Sequence, residues 1–237
     1  MHDPFAEPAD TREAILGAAF RALCDHGYAD LTISRIGEQF EKSPSLVYHH
    51  YDGKDELLLD LLEFLLDGFE SSISGDNFDL SPRERIDVYV TAMLNPDAVD
   101  RSYAADSAFL SAIVELRAQA ATDEAYRDHF DRSDQVFTAF LNAAVQEAAV
   151  DCKRSTPVAA PGRPDAASED SEEYSEGPVD PAEVAATLQT LTTGGMLRWA
   201  TTSDRGWVTP TRDGIQRYVA LTLPRVVTED RSAPDSD

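Results

Sequence analysis

Apolar residues recur along most of the chain at three- and four-residue spacing. No run alternates with a period of two for long enough to argue for a sheet, so the pattern predicts an all-α fold. Asp10 and Glu13 stand as the cap and the third-position acid of a first helix. Its buried stripe is Ile15, Leu16, Ala19 and Leu23, and Gly27 supplies a left-handed stop. Thr32 caps a second, short helix with Ile33, Ile36 and Phe40 inward. Ser43 caps a third, with Pro44 at the first-turn position that needs no N–H. From Lys54 onward, Leu57, Leu58, Leu61, Leu62, Leu65, Leu66 and Phe69 leave so little polar face that a long helix must lie between two layers and join two domains. Further helices are predicted near 82–95, 99–121 and 123–149, parted by Asn95-Pro96 and Thr122-Asp123. Two last stripes follow, Val184, Leu188, Leu191, Gly195 and Trp199, then Ile215, Val219, Leu223 and Val226. They suit a helical bundle between two subunits, which makes Leu188, Leu191, Gly195, Trp199, Ile215, Val219 and Leu223 the expected dimer interface.

Between these helices, residues 152–180 combine Pro157, Pro161, Pro164 and Pro178 with serine, alanine and acids and carry no apolar stripe, as a disordered acidic insertion would. The expected division is a flexible N-terminus over 1–9, a small three-helix domain over 10–54, a larger helical domain over 55–227 that contains the insertion, and a disordered tail over 228–237. The start of the chain has acids where a secretory signal has a basic cluster, and no apolar stretch is long enough to span a bilayer. Both features point to a cytoplasmic protein without a membrane partner. Cys24 and Cys152 are too few for a disulfide framework or a zinc site, and read as ordinary thiols.

Charge changes this picture. The formal net charge is −24, from 44 acidic and 20 basic residues, of which only Lys42, Lys54 and Lys153 are lysines. Residues 151–180 hold 8 acids and 3 basic residues, so the excess is spread over the whole chain and not confined to one segment. Such a surface suits concentrated salt, where the screening length falls from about 10 Å at 0.1 M to about 3 Å at 1 M, and it points to a halophile as the source. Residues 10–54 are spared, with 7 acids against 5 basic residues, and from Thr32 to Lys54 the balance is zero.

That spared segment reads TISRIGEQFEKSPSLVYHHY and continues into DGKDELL. It resembles the helix-turn-helix of the TetR family. A Thr starts the second helix (Thr32), an Ile packs in its middle (Ile36), a Ser opens the recognition helix (Ser43), and an aromatic-His-aromatic stretch (Tyr48, His50, Tyr51) precedes a Lys (Lys54). The upstream AILGAAFRALCDHGYADLT matches the family's first helix and turn, and the likeness covers about residues 11–62. Glu41 departs from the pattern, since the turn often has a Gly there.

The chemistry of the segment agrees with that resemblance. A helix entering the major groove needs short side chains on its leading turn, as at Pro44, Ser45 and Val47. Phosphates need donors at its flanks, as Thr32, Ser34, Arg35, Tyr48, His49 and Lys54 provide. A dimer neutralising about 6 phosphates would show a log–log salt slope near −5, leaving specificity to base and methyl contacts. Tyr51 reads as core, and Tyr48 as either contact or packing.

The resemblance implies a ligand-responsive repressor binding a palindromic operator on double-stranded DNA as a homodimer. A small-molecule effector in the larger domain would move the helix that begins at Lys54. Phe64, Tyr89, Met93, Phe109, Ile113 and Phe137 are the candidate pocket lining, each serving equally well as solid core. No cofactor, metal or catalytic residue is expected. His49 and His50 point about 100° apart on a helix, and none of His26, His49, His50 or His129 has the glutamate three residues earlier that a di-iron bundle needs. Gly-rich phosphate loops and nucleophile elbows are missing as well, so the rival readings are an adaptor that has lost DNA binding and, behind it, a helical-bundle enzyme.

Overall fold

A computed structural model describes residues 5–40, 44–74, 80–99, 107–155 and 177–228, and these are helical throughout apart from turns. In chain order the helices are α1 (Thr11–Asp30), α2 (Ile33–Glu38), α3 (Val47–His50), α4 (Lys54–Ser74), α5 (Pro82–Leu94), α6 (Ser107–Gln119), α7 (Glu124–Ser155), α8 (Pro181–Thr201) and α9 (Val208–Thr222). Short 3-10 turns at Pro44–Leu46, Pro96–Ala98 and Leu223–Arg225 lead into α3, follow α5 and close α9.

The caps predicted at Asp10 and Thr32 form, while that at Ser43 lies outside the described residues. Asp10 accepts the Glu13 amide at 2.9 Å, while Glu13 reaches back to the Ala9 amide at 2.7 Å. Thr32 Oγ1 accepts the Arg35 amide at 3.2 Å. Gly27 has φ +70°, as a left-handed residue should, but α1 only kinks there and runs a further turn to Asp30.

Two cores result. The N-terminal one gathers Ile15, Leu16, Leu23, Ile36, Val47 and the first half of α4 (Leu57, Leu58, Leu61, Leu62), and reaches Leu116 on α6 and Tyr126 on α7. The second fills the body with Ile86, Tyr89, Leu94, Leu141, Val145, Leu188, Trp199, Ile215 and Val219, against which Phe69 and Ile73 of α4 also pack. Since α4 contributes to both, its all-round apolar pattern follows from spanning two cores.

Several predicted boundaries shift. Phe5 belongs to the stretch expected to be flexible, yet it is buried against Phe20 and Phe64, with ring centroids 5.9 and 5.1 Å away. Its burial offsets the entropy of fixing the arm. Of the predicted 99–121 helix the described residues show 107–119; Val99 is extended after the Pro96 turn, and residues 100–106 lie outside the described residues. The expected insertion narrows from both ends. Residues 152–155 continue α7, and Lys153 Nζ donates to the Val226 carbonyl at 2.9 Å. On the far side Val179 pairs with the end of the chain, its amide donating to Arg225 O and its carbonyl accepting from the Val227 amide, both at 2.9 Å. The stretch between them, 156–176, lies outside the described residues, as does the tail beyond Thr228.

Candidate nucleic-acid interface

The helix-turn-helix is α2, the turn, and α3. Ile36 and Val47 are fully buried between α1 and α4, and they fix which face of the short α3 points away from the protein. The outward face carries Tyr48, 62% exposed, with His49 and His50 exposed beside it. Ser34 and Ser45 are also exposed, and the 3-10 turn opens at Pro44. Ser43 and Glu41 lie outside the described residues. Val47 therefore corrects the sequence pattern: the small apolar residue assigned to the DNA-facing turn is the one that anchors α3 to the core.

Two expected phosphate donors are engaged within the protein. Arg35 Nη1 donates to the Asp30 carbonyl and lies 3.9 Å from its carboxylate, which ties α2 to the end of α1. Lys54 Nζ donates to the Tyr28 carbonyl at 3.1 Å and sits 4.0 Å from the centre of the Tyr28 ring. At this site Lys54 clamps the start of α4 to the kinked end of α1, and its ammonium is partly satisfied before any phosphate arrives.

A polar frame that the residue pattern does not reveal holds this face. Tyr51, directly after α3, donates its hydroxyl to Asp60, which also receives Arg12 Nε (2.9 Å) and Nη2. Burial works against the Asp60 carboxylate, but Arg12 and Tyr51 outweigh it and hold its pKa below the ordinary carboxylate value, while burial and Asp60 raise that of Tyr51. Tyr51 is core, as expected. Nearby, Asp55 at the start of α4 accepts the hydroxyls of Tyr28 (2.9 Å) and Tyr126 (3.1 Å); burial, then Asp55, pushes Tyr28 up to about 12. Glu115 of α6 accepts the amides of Tyr28 (2.7 Å) and Ala29 (3.4 Å), donors freed where Gly27 breaks the helix. The positive φ required by Gly27 was the one sequence signal for this contact. Through these bonds α4 and α6 hold the end of α1, and α7 holds the start of α4 through Tyr126 and Asp55.

The six candidate pocket residues do not line one cavity. Phe64 and Phe109 pack in the N-terminal core, on Phe5 and on Phe20 respectively. Tyr89, Met93 and Phe137 pack in the body core, and Ile113 touches both. An open groove of about 480 Å³ lies elsewhere, between α4, α5 and α7, lined in part by Ile73, Arg85, Phe140 and Glu147.

The expected dimer residues also separate. Leu188, Gly195, Trp199, Ile215, Val219 and Leu223 are buried inside one chain, because α8 and α9 turn those stripes onto α5, α6 and α7. Leu191 alone of that set is exposed, and Leu197 and Leu221 join it at 53% and 74% exposure. Gly195 explains itself within the protomer, since a Cβ there would overlap Leu94 Cδ2, whereas a Cβ on Gly194 would meet nothing within 4 Å. Among the described residues no group of His, Cys, Asp and Glu is arranged to hold a metal ion, and no helix is long and apolar enough to cross a membrane.

Residues 15–61 match the family described as bacterial regulatory proteins, tetR family. The chain is 36% identical over 55 residues to the HTH-type transcriptional repressor AcnR of Corynebacterium efficiens, covering 23% of this chain and 29% of that protein. It is 33% identical over 81 residues to the HTH-type transcriptional regulator BetI of Brucella anthropi, covering 34% and 41%. The matches thus span less than half the length of these curated relatives. Likeness to a TetR transcription regulator from Haloarcula marismortui extends further, with 28% identity over 89% of this chain and 97% of the other and a TM-score of 0.65. A TetR-family transcriptional regulator from Rhodococcus sp., 23% identical over 90% and 98%, shares the fold with a TM-score of 0.57. The tetR-family match is thus carried by residues 15–61, and over most of its length the chain is similar in fold to solved regulators described as TetR.

Proposed function

We infer that the protein is a DNA-binding transcriptional regulator that reads a palindromic operator as a homodimer. What carries the reading is the outward face of α3: Tyr48, His49 and His50 are exposed while Val47 behind them is fully buried. A side chain as large as Tyr48 gains nothing from the protomer in that position, but its hydroxyl and ring suit a phosphate or a thymine methyl in the major groove. The names of the curated relatives support repression as the default outcome. Tyr48→Ala is expected to weaken binding of an operator duplex about tenfold or more in gel shifts at matched salt, with the thermal midpoint unchanged. Equal affinity for wild type and variant would remove Tyr48 from the interface, and no operator binding by either would support the adaptor reading instead.

The second copy is read as docking on α8 and α9. From Val184 to Leu197 α8 has no charged residue, in a chain of which 27% is charged, and its exposed row includes Thr190, Leu191, Gly194 and Leu197. Gly194 lowers helix stability by about 1 kcal/mol without relieving any crowding in the protomer, which fits a close crossing by a partner helix. Two recognition helices on a two-fold axis would then meet successive major grooves about 34 Å apart.

Effector binding in the body is read as opposing operator binding, since the body holds the end of α1 through Glu115 and the start of α4 through the bond from Tyr126 to Asp55. The −24 charge supports a protein adapted to concentrated salt, in keeping with a halophilic archaeal source. Dialysis into dilute buffer is expected to abolish most of the helical circular dichroism. A full signal retained there would remove the salt requirement.

A further inference from the structure

The groove between α4, α5 and α7 has an apolar floor and a polar wall of Arg85, Glu147, Glu70 and Gln135. Ile73, Val136, Ala139, Phe140 and Ala143 supply the floor, and Arg85 comes from α5. Its volume of about 480 Å³ is that of a small-molecule cleft.

Arg85 is incompletely paired. Nε and Nη2 form the edge of a guanidinium that accepts a carboxylate with two parallel bonds. Arg12 uses that edge fully, placing both atoms on Asp60. Arg85 places Nη2 on Glu147, but its Nε is buried with no acceptor. Glu147 is half exposed, on the outer row of α7, and holds this edge by one prong.

We propose that this groove binds an amphipathic carboxylate, its two oxygens on Nε and Nη2 of Arg85 in place of Glu147 and its hydrocarbon along Ile73, Val136 and Phe140. Glu147 then acts as a tethered competitor that closes the site when it is empty. An amphipathic cation is disfavoured because both carboxylates of the lining are already paired, Glu147 with Arg85 and Glu70 with Arg132. A neutral lipid leaves Glu147 where it is and gains only the floor. Glu70 and Ile73 belong to α4, so an occupied groove presses on the far end of the helix whose start bears on the DNA-binding domain. The proposal rests on reading the body as the effector-sensing part.

Calorimetric titration of the full chain with decanoate, decanol and decyltrimethylammonium, at the salt that keeps it folded, tests this directly. Decanoate is expected to bind, Arg85→Gln to weaken it about tenfold, and Glu147→Gln to tighten it about threefold although that variant loses a native ion pair. Failure of decanoate to bind overturns the proposal. So does equal binding of decanol or of the cation, or weaker decanoate binding by Glu147→Gln. Gel shifts run in parallel separate the two readings. A chain that binds operator but ignores decanoate loses only the groove, and one that binds decanoate but no DNA loses the regulator.

Discussion

Gly195→Val is expected to lower the thermal midpoint by about 6–12 °C, one of the two largest effects the structure implies. Gly195 faces α5, where a Cβ would overlap Leu94 Cδ2, and Leu94 is fully buried in the body core. Helical backbone at this position rules out a φ requirement, so the demand for glycine is purely one of space. Three added carbons must push α8 from α5 or force Leu94 off its rotamer, at a cost of about 3 kcal/mol. In a chain of this size each kcal/mol moves the midpoint by about 2–4 °C. Heat denaturation followed at 222 nm checks it, and a variant as stable as wild type would mean that α8 and α5 are not packed as described. The neighbouring Gly194, whose added Cβ would be in open space, gives the internal contrast: Gly194→Ala is sterically free in the protomer.

The second large effect is on assembly. Leu191→Glu with Leu197→Glu is expected to convert dimer to monomer in sedimentation and to weaken operator binding about a hundredfold or more. Each glutamate replaces an exposed leucine, so the protomer core is untouched. In the dimer both would be desolvated against their own symmetry copies, like charge facing like charge. A monomer engages one half-site at a time and loses the effective concentration that links the second reading to the first. If the double variant sediments as a dimer and binds operator normally, the partner docks elsewhere.

Element order and most caps were legible because they depend on neighbours in sequence. Asp10, Thr32 and the Pro82 start of α5 sit where local hydrogen bonding requires them, and the leucines of α4 announce burial on every side. What a stripe is buried against is not a local property. The α8 and α9 stripes suit a partner chain or the chain's own body equally well, and the body took them, leaving Leu191, Leu197 and Leu221 outside. Phe64 and Phe109 were assigned to a single pocket with Tyr89 because all are aromatic on central helices, yet α4 and α6 each cross from one core to the other. Lys54 and Val47 show the same limit at the DNA face. Their spacing matches a recognition motif, but only the three-dimensional neighbours, Tyr28 for one and Ile36 for the other, reveal that both residues hold the motif together.

The corner joining α8 to α9 has a practical consequence. Trp199 and Trp207 are the chain's two tryptophans, Arg205 lies 3.9 Å from the first ring and Arg198 4.8 Å from the second, and the Trp207 indole N–H donates to the Asp204 carbonyl. All indole emission therefore originates at one end of the helix pair, beyond Leu197 and far in sequence from Tyr48. The unlabelled protein thus carries an optical probe that reports on the α8–α9 corner alone.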